Sequence, residues 1–244
     1  MDYESIAEQY RNAKAADWRV YVEIPSFMRL VGDVSGKSVL DLACGEGFYS
    51  REFMRQGAAR TVGVDNSPAM ISLAHATEHA EPLGVEYVLS DVEELDQGER
   101  FDLVVAAFLL NYASSTAHLL KMCRVVARDL KPGCRFVTVN SNPEIGSKQV
   151  DYRKYGFERL ASPDLHNGFE YVFRNYPDGT SFDITIYHLD VATHEQAFAS
   201  AGLTDVHWVR PEVSPAGRTN FSAGYWETFL GDPPITLIEC HARA

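Results

Sequence analysis

Three carboxylates and a pair of glycines carry the clearest chemical content in the sequence. Asp41 stands inside the run "VLDLACGEG", Asp65 closes the run "RTVGVD", and Asp91 follows "VEYVLS". Each acid ends or interrupts an apolar stretch of strand length. In open α/β sheets the ligand crevice lies at the carboxyl ends of such strands. A carboxylate there can accept two hydrogen bonds side by side. Gly45 and Gly47 would let main chain come close to the ligand. They do not make a dinucleotide site, whose fingerprint is G-x-G-x-x-G. With the middle glycine placed on Gly45, Ala43 takes the first position and Phe48 the third, where a large side chain blocks close helix packing. Glu46 beside a pyrophosphate would also be unfavourable.

These residues need a scaffold that repeats strand, turn and helix, and the chain supplies one. "SVLDLA", "RTVGVD", "VEYVLSD", "FDLVVAAFLLNYA" and "RFVTVNSN" read as five strands. Between them "FYSREFMRQG" reads as a helix closed by Gly57, and "SPAMISLAHATEHAEPLG" as a helix capped by Ser67 with Pro68 at its first position. "TAHLLKMCRVVARDLKPG" reads as a helix stopped by Pro132-Gly133. The strands are apolar runs without alternation, as in a parallel sheet covered on both faces. Alternating strand and helix implies right-handed crossovers and a doubly wound α/β sheet. Upstream, Tyr3, Ile6, Ala7 and Tyr10 share one helix face, and a second apolar stretch from Trp18 to Val31 is broken by Pro25. After Asn142 the pattern turns irregular and aromatic, then gives two strands across a Pro177-Asp178-Gly179 turn. "THEQAFASAG" reads as a helix with a Thr193-to-Gln196 capping box and a Gly202 stop, and two closing strands follow. The expectation is one domain over 1–244, with a helical cap over 1–35 and an inserted β-hairpin lid over 143–190, too small for a core of its own.

One cofactor answers the acids and glycines better than a dinucleotide does. S-adenosylmethionine has no phosphate; it presents an adenosine, a zwitterionic amino acid end and a sulfonium. "VLDLACGEGFY" resembles the first motif of the class I S-adenosylmethionine-dependent methyltransferases, with Ala43 where a glycine is commonest. "VD" at 64–65, "NSPAM", "SDV", "FDLVVAAFLLNYA" and "DLKPGC" match the family's later motifs in order. The resemblance implies a Rossmann-like, seven-stranded sheet and S-adenosylhomocysteine as product. It implies that Asp41 serves the ammonium end, with Ala43, Gly45 and Gly47 lying against the amino acid and sugar. It implies that Asp65, with Asn66 beside it, takes the ribose hydroxyls, and that Met70 covers the adenine. Asp91 and the Val92 amide would serve the adenine edge, and Leu109 the methionine part. Two alternatives stay open: Asp41 as an acid bonding loop groups, and Met70 as core filling.

The acceptor side is less defined. Tyr10, Asn111, Tyr112, Tyr171 and Tyr187 are candidate substrate contacts, within an aromatic-rich set that also includes Tyr155, Phe157, Phe169 and Phe173. Such rings could stack on a flat acceptor and exclude water, or simply form the lid's own packing. No catalytic base is assigned; His188, His118, His194 and Tyr10 are weak candidates. His75-Ala76-Thr77-Glu78-His79 spells a zinc-peptidase pattern, but it lies on a helix with no third ligand in view, so it reads as a solvated face and no metal is expected.

Composition narrows the rest. The 244 residues carry a net charge of −12, which argues against a nucleic-acid partner. After the fourth strand, where nucleic-acid methylation would call for Asn/Asp-Pro-Pro-Tyr/Phe, the chain has "NYAS" instead. Apolar runs are too short to span a membrane, and four scattered cysteines with a non-signal start point to the cytoplasm. The oligomeric expectation is a monomer or homodimer. "DYESIAEQY", "LLNYA", "VATHEQAFASAGL" and "PPITLIEC" resemble a bacterial subgroup like the toxoflavin-biosynthesis methyltransferases. That resemblance implies N-methylation of a flat heterocycle in secondary metabolism, of the antibiotic-biosynthesis kind. The alternatives are O- or C-methylation of a phenolic or quinone-type small molecule, and a non-catalytic cofactor-binding regulator.

Overall fold

The apolar runs pair as strands of one sheet. A computed structural model describes residues 9–10, 13–96, 98–144, 150–160, 165–177 and 179–243; Tyr3, Ile6, Ala7 and Asp178 of the expected elements lie outside these. The strands are Ser38–Leu42 (β1), Arg60–Asp65 (β2), Glu86–Leu89 (β3), Phe101–Ala107 (β4), Leu130–Ser141 (β5), Phe157–Leu160 (β6), Phe169–Asn175 (β7), Phe182–His188 (β8), Leu203–Val209 (β9) and Ile235–Ala242 (β10). Seven of them form the main sheet in the order β3-β2-β1-β4-β5-β10-β9. β1 runs parallel to β2 and β4, while β10 runs antiparallel to β5 and β9.

Both faces of this sheet are buried, as the unalternating strands predict. Leu40, Leu42, Val62, Val64 and Val104 pack into one core, and Val39, Leu103, Val105, Val137 and Val139 into the other. The helices are Ile24–Val31 (α1), Phe48–Arg55 (α2), Pro68–Ala80 (α3), Thr116–Asp129 (α4), Val191–Ala201 (α5), Pro215–Asn220 (α6) and Glu227–Gly231 (α7). The last two short helices lie in a stretch that carries no clear periodic signal. Ser67 caps α3 through its hydroxyl, which accepts from the Met70 amide at 3.3 Å.

Four local expectations need correction. Pro25 does not break its helix: it sits in the first turn of α1, where its missing N–H costs nothing, and a π-helical segment Arg19–Glu23 leads into it. α4 ends at Asp129, ahead of Pro132, and the Lys-Pro-Gly residues belong to β5. The cap of α5 is Asp190, whose Oδ1 accepts from the Thr193 amide at 2.8 Å; the helix starts earlier than the capping box implies, and Thr193 lies in its first turn. The insertion is not a two-stranded hairpin. β6 adds to it, pairing Phe157 with Asn175, so the order is β6-β7-β8. β6 is only four residues long, Phe157-Glu158-Arg159-Leu160, too short to show a strand period. Its neighbours Tyr152 and Tyr155, with Phe157, bury themselves among Trp18, Trp226 and Phe229 of the main core.

Candidate active site

The loop after β1 owes its shape to left-handed backbone. Ala43 has φ 56°, Gly45 φ 57° and Gly47 φ 85°. At Gly47 the requirement is double, because a Cβ there would lie 2.1 Å from Tyr87 Oη. The loop is tied to β2 through Asp65. Gly45 N–H donates to Asp65 Oδ2 at 2.8 Å, and Ser67 N–H to Oδ1 at 2.9 Å. Burial pushes the Asp65 carboxyl up, and the amides of Ser67, Gly45 and Asn66 oppose that. The carboxylate keeps acceptor capacity for a ligand hydroxyl.

A cavity of about 550 Å³ opens at this edge of the sheet. Ala43, Gly45, Asp65, Asn66 and Met70 form one wall, continued by Asp91 and Val92. Leu109, Tyr112, His118, Tyr10 and Tyr187 form the other. Most of the candidate cofactor contacts therefore meet in one place. Phe108, also on this wall, has φ 67° although it is not glycine. Such strained backbone clusters where a site over-determines it.

Five candidates fall elsewhere. Gly47 shapes the loop but is not on the cavity wall. Asp41 is buried behind the loop, where Ser50 Oγ donates to its Oδ2 at 2.6 Å, and burial pushes its carboxyl up to about 7. Tyr171 is buried with its hydroxyl 2.6 Å from Ser141 Oγ; strand alternation turns it to the opposite face of the inserted sheet from Tyr187. His188 is buried at the end of β8, off the wall, and desolvation pulls its imidazole down. Asn111 lines a second, smaller cavity of about 50 Å³. Of the further histidine, His194, Nδ1 lies 2.9 Å from the Asp190 carbonyl oxygen, so it is structural.

Six wall residues were missed by sequence reasoning: Ala107, Phe108, Ser114, Met122, Glu170 and Thr185. Thr185 could have been found, since it lies two residues before Tyr187 on β8 and so shares its face. Glu170 pairs across with Tyr187, a register that local sequence does not reveal.

His118 is the histidine on the cavity wall. Its Nε2 lies 3.0 Å from Glu93 Oε1, and its Nδ1 accepts from Ser114 N–H at 3.3 Å. The His75, Glu78, His79 pattern has a structural account. Glu78 Oε1 accepts from the amides of Leu83 and Gly84 at 2.7 Å each, its other oxygen pairs with buried Arg51, and the two histidines are exposed. Glu78 is thus not simply part of a solvated face. No group of metal-ligating side chains occurs among the described residues.

Comparisons with known proteins agree with this geometry. The family described as "Methyltransferase domain" matches residues 39–133. The ubiquinone biosynthesis O-methyltransferase of Acinetobacter baylyi is 30% identical over 203 residues, 75% of each chain. The chain belongs to the class I S-adenosylmethionine-dependent methyltransferases. The corresponding enzyme of a Bradyrhizobium strain is 33% identical over 151 residues, which are 60% of this chain and 51% of that one, so the match spans about half of that relative. A Mesorhizobium loti S-adenosylmethionine-dependent methyltransferase superposes with TM-score 0.65 at 20% identity, covering 94% of this chain and 99% of that one. One from Clostridium acetobutylicum gives TM-score 0.61 at 16% identity, covering 100% and 93%. These structures share the fold.

This methyltransferase uses S-adenosylmethionine as its cofactor. The cavity fits that molecule: its wall brings close-approach main chain at Ala43 and Gly45 together with a carboxylate at the end of β2. The acceptor expectation shifts. The relatives named here are O-methyltransferases of ubiquinone biosynthesis and give no support to the toxoflavin subgroup or to secondary metabolism. No helix among the described residues is long and apolar enough to cross a membrane.

Proposed function

We propose that this methyltransferase methylates a hydroxyl of a small phenolic or quinone-type acceptor. The observation that carries this is His118 on the cavity wall with Glu93 against its Nε2. A hydroxyl oxygen must lose its proton to become a good nucleophile, whereas a heterocyclic nitrogen with a free lone pair need not. To take that proton, His118 Nδ1 exchanges its contact with Ser114 N–H for the acceptor hydroxyl, and Glu93 at Nε2 orients the ring and balances the charge that forms.

The cofactor supplies an electrophilic methyl on sulfonium. Asp65 holds the ribose hydroxyls, Asp91 and the Val92 amide the adenine edge, and Met70 its face. Asp41, behind the loop, supports it through Ser50, whose hydroxyl donates to its Oδ2. Tyr10 and the inserted sheet, through Glu170, Thr185 and Tyr187, close the site as a lid and exclude water. The relatives named above, O-methyltransferases of ubiquinone biosynthesis, support the oxygen acceptor.

The test is a methyl-transfer screen over phenols, catechols and nitrogen heterocycles, with product identified by mass spectrometry. Methylated catechols are expected. Methylation of heterocyclic nitrogen alone would sink the oxygen reading.

A further inference from the structure

The smaller cavity lies where the acceptor end of the site should be. It sits at the carboxyl ends of β4 and β5, between Ser141 and the start of β10 at Ile235. It shares Tyr10, Phe108 and Tyr112 with the main cavity, so the two compartments abut. The same edge strand, β8, divides them: Thr185 and Tyr187 face the larger one, Ile184 and Ile186 the smaller.

Its lining is apolar except for a few groups, and two of those are unusual. Arg19 is 4% exposed and Asn111 is 7% exposed, and both line the compartment. Arg19 Nε and Asn111 Oδ1 are buried atoms without a hydrogen-bond partner among the described residues. An orphan donor and an orphan acceptor in one apolar space are costly to leave unmade. The guanidinium charge is already matched. Arg19 Nη1 donates to buried Glu23 Oε2 at 2.8 Å, and Tyr49 donates to Glu23 Oε1 at 2.6 Å. The Arg19 plane also lies over the Trp18 ring, 4.6 Å from its centre. A further charge here would therefore be buried without a counter-charge.

We propose that this compartment is the acceptor-recognition subsite, and that it takes a small uncharged substituent that accepts from Arg19 Nε–H and donates to Asn111 Oδ1, as a carboxamide does. The inference rests on the reading of the main cavity as the methyl-transfer site. The volume of about 50 Å³ admits a substituent of a few atoms but not a ring, so the acceptor ring stays on the side of Phe108 and Tyr112. A hydrocarbon group would leave both polar atoms unpaired.

The experiment uses the full chain saturated with S-adenosylhomocysteine and three probes. These are protocatechuamide, the catechol with methyl in place of the carboxamide, and protocatechuate. Binding is measured by calorimetry and turnover is measured in parallel with S-adenosylmethionine. The amide is expected to bind roughly 10- to 100-fold tighter than the methyl analogue, and tighter than the carboxylate. Asn111→Leu should remove that advantage while leaving S-adenosylhomocysteine affinity unchanged; Asn111→Ser repeats the test if the leucine variant does not fold. Equal binding of amide and methyl probes, preference for the carboxylate, no binding of any probe, or an advantage that survives the substitution overturns the subsite. If the amide preference holds but no catechol is methylated, the oxygen-acceptor reading fails and the subsite stands.

Discussion

At the scale of single residues, the proposed site separates into groups that would hold the cofactor and groups that would act on the acceptor. Asp65→Ala leaves the hydroxyls it would hold unpaired and should weaken S-adenosylmethionine binding by about 1–3 kcal/mol, measured by calorimetry. An unchanged affinity would move the ribose contact to another residue. His118→Ala should lower kcat on a hydroxyl acceptor by roughly 10²- to 10⁴-fold with little change in cofactor affinity. A variant with wild-type kcat on a hydroxyl acceptor would remove His118 from the chemistry. Asp65 was legible because it ends an apolar strand. His118 was only a weak candidate, because its partner Glu93 comes from the 3-10 turn after β3, and no local pattern joins the two.

At the scale of elements, the β1 loop and β3 depend on each other. Tyr87 on β3 packs its ring against Gly47 and Gly63, where a Cβ would come within 2.1 Å and 3.0 Å of its atoms. Gly47→Ala must both adopt left-handed backbone, costing about 1–2 kcal/mol, and displace that ring. We expect a lower melting temperature and a lost or weakened cofactor site, read by thermal denaturation with and without S-adenosylmethionine. Tyr87 Oη is a buried hydroxyl with no partner among the described residues. Tyr87→Phe should therefore leave stability unchanged or raise it by up to about 1 kcal/mol. A clear loss in melting temperature would show that the hydroxyl has work in the fold. The glycines themselves stand out in the sequence, but the ring that demands Gly47 comes from another strand and is visible only once β3 lies beside β2.

At the scale of the whole molecule, burying Asp41 links stability to pH. Desolvation holds its folded carboxyl at about 7, opposed by Ser50 and by the charge of Lys14. An unfolded aspartate ionises near about 4. Between those values the unfolded chain has lost the proton and the folded chain keeps it, so stability without cofactor falls as pH rises, and the full penalty is present above about 7. Asp41→Asn keeps an acceptor for Ser50 and has no proton to lose. It should melt several degrees higher than wild type at about pH 8 and show a flatter slope below that, by calorimetry across pH. A variant that melts lower at that pH would mean the carboxylate is favourable in the fold. What the sequence determined alone is the cofactor half: apolar runs, the acids that close them and the left-handed glycines are local, and each constrains its own few residues. Tertiary structure decided the acceptor half. Whether Tyr171 or Tyr187 meets the cavity depends on the register of an inserted sheet whose first strand has no period of its own. Arg19 and Asn111 line one compartment only because the N-terminal segment packs over the end of β4, and residues that far apart in the chain are brought together by packing rather than by any local pattern.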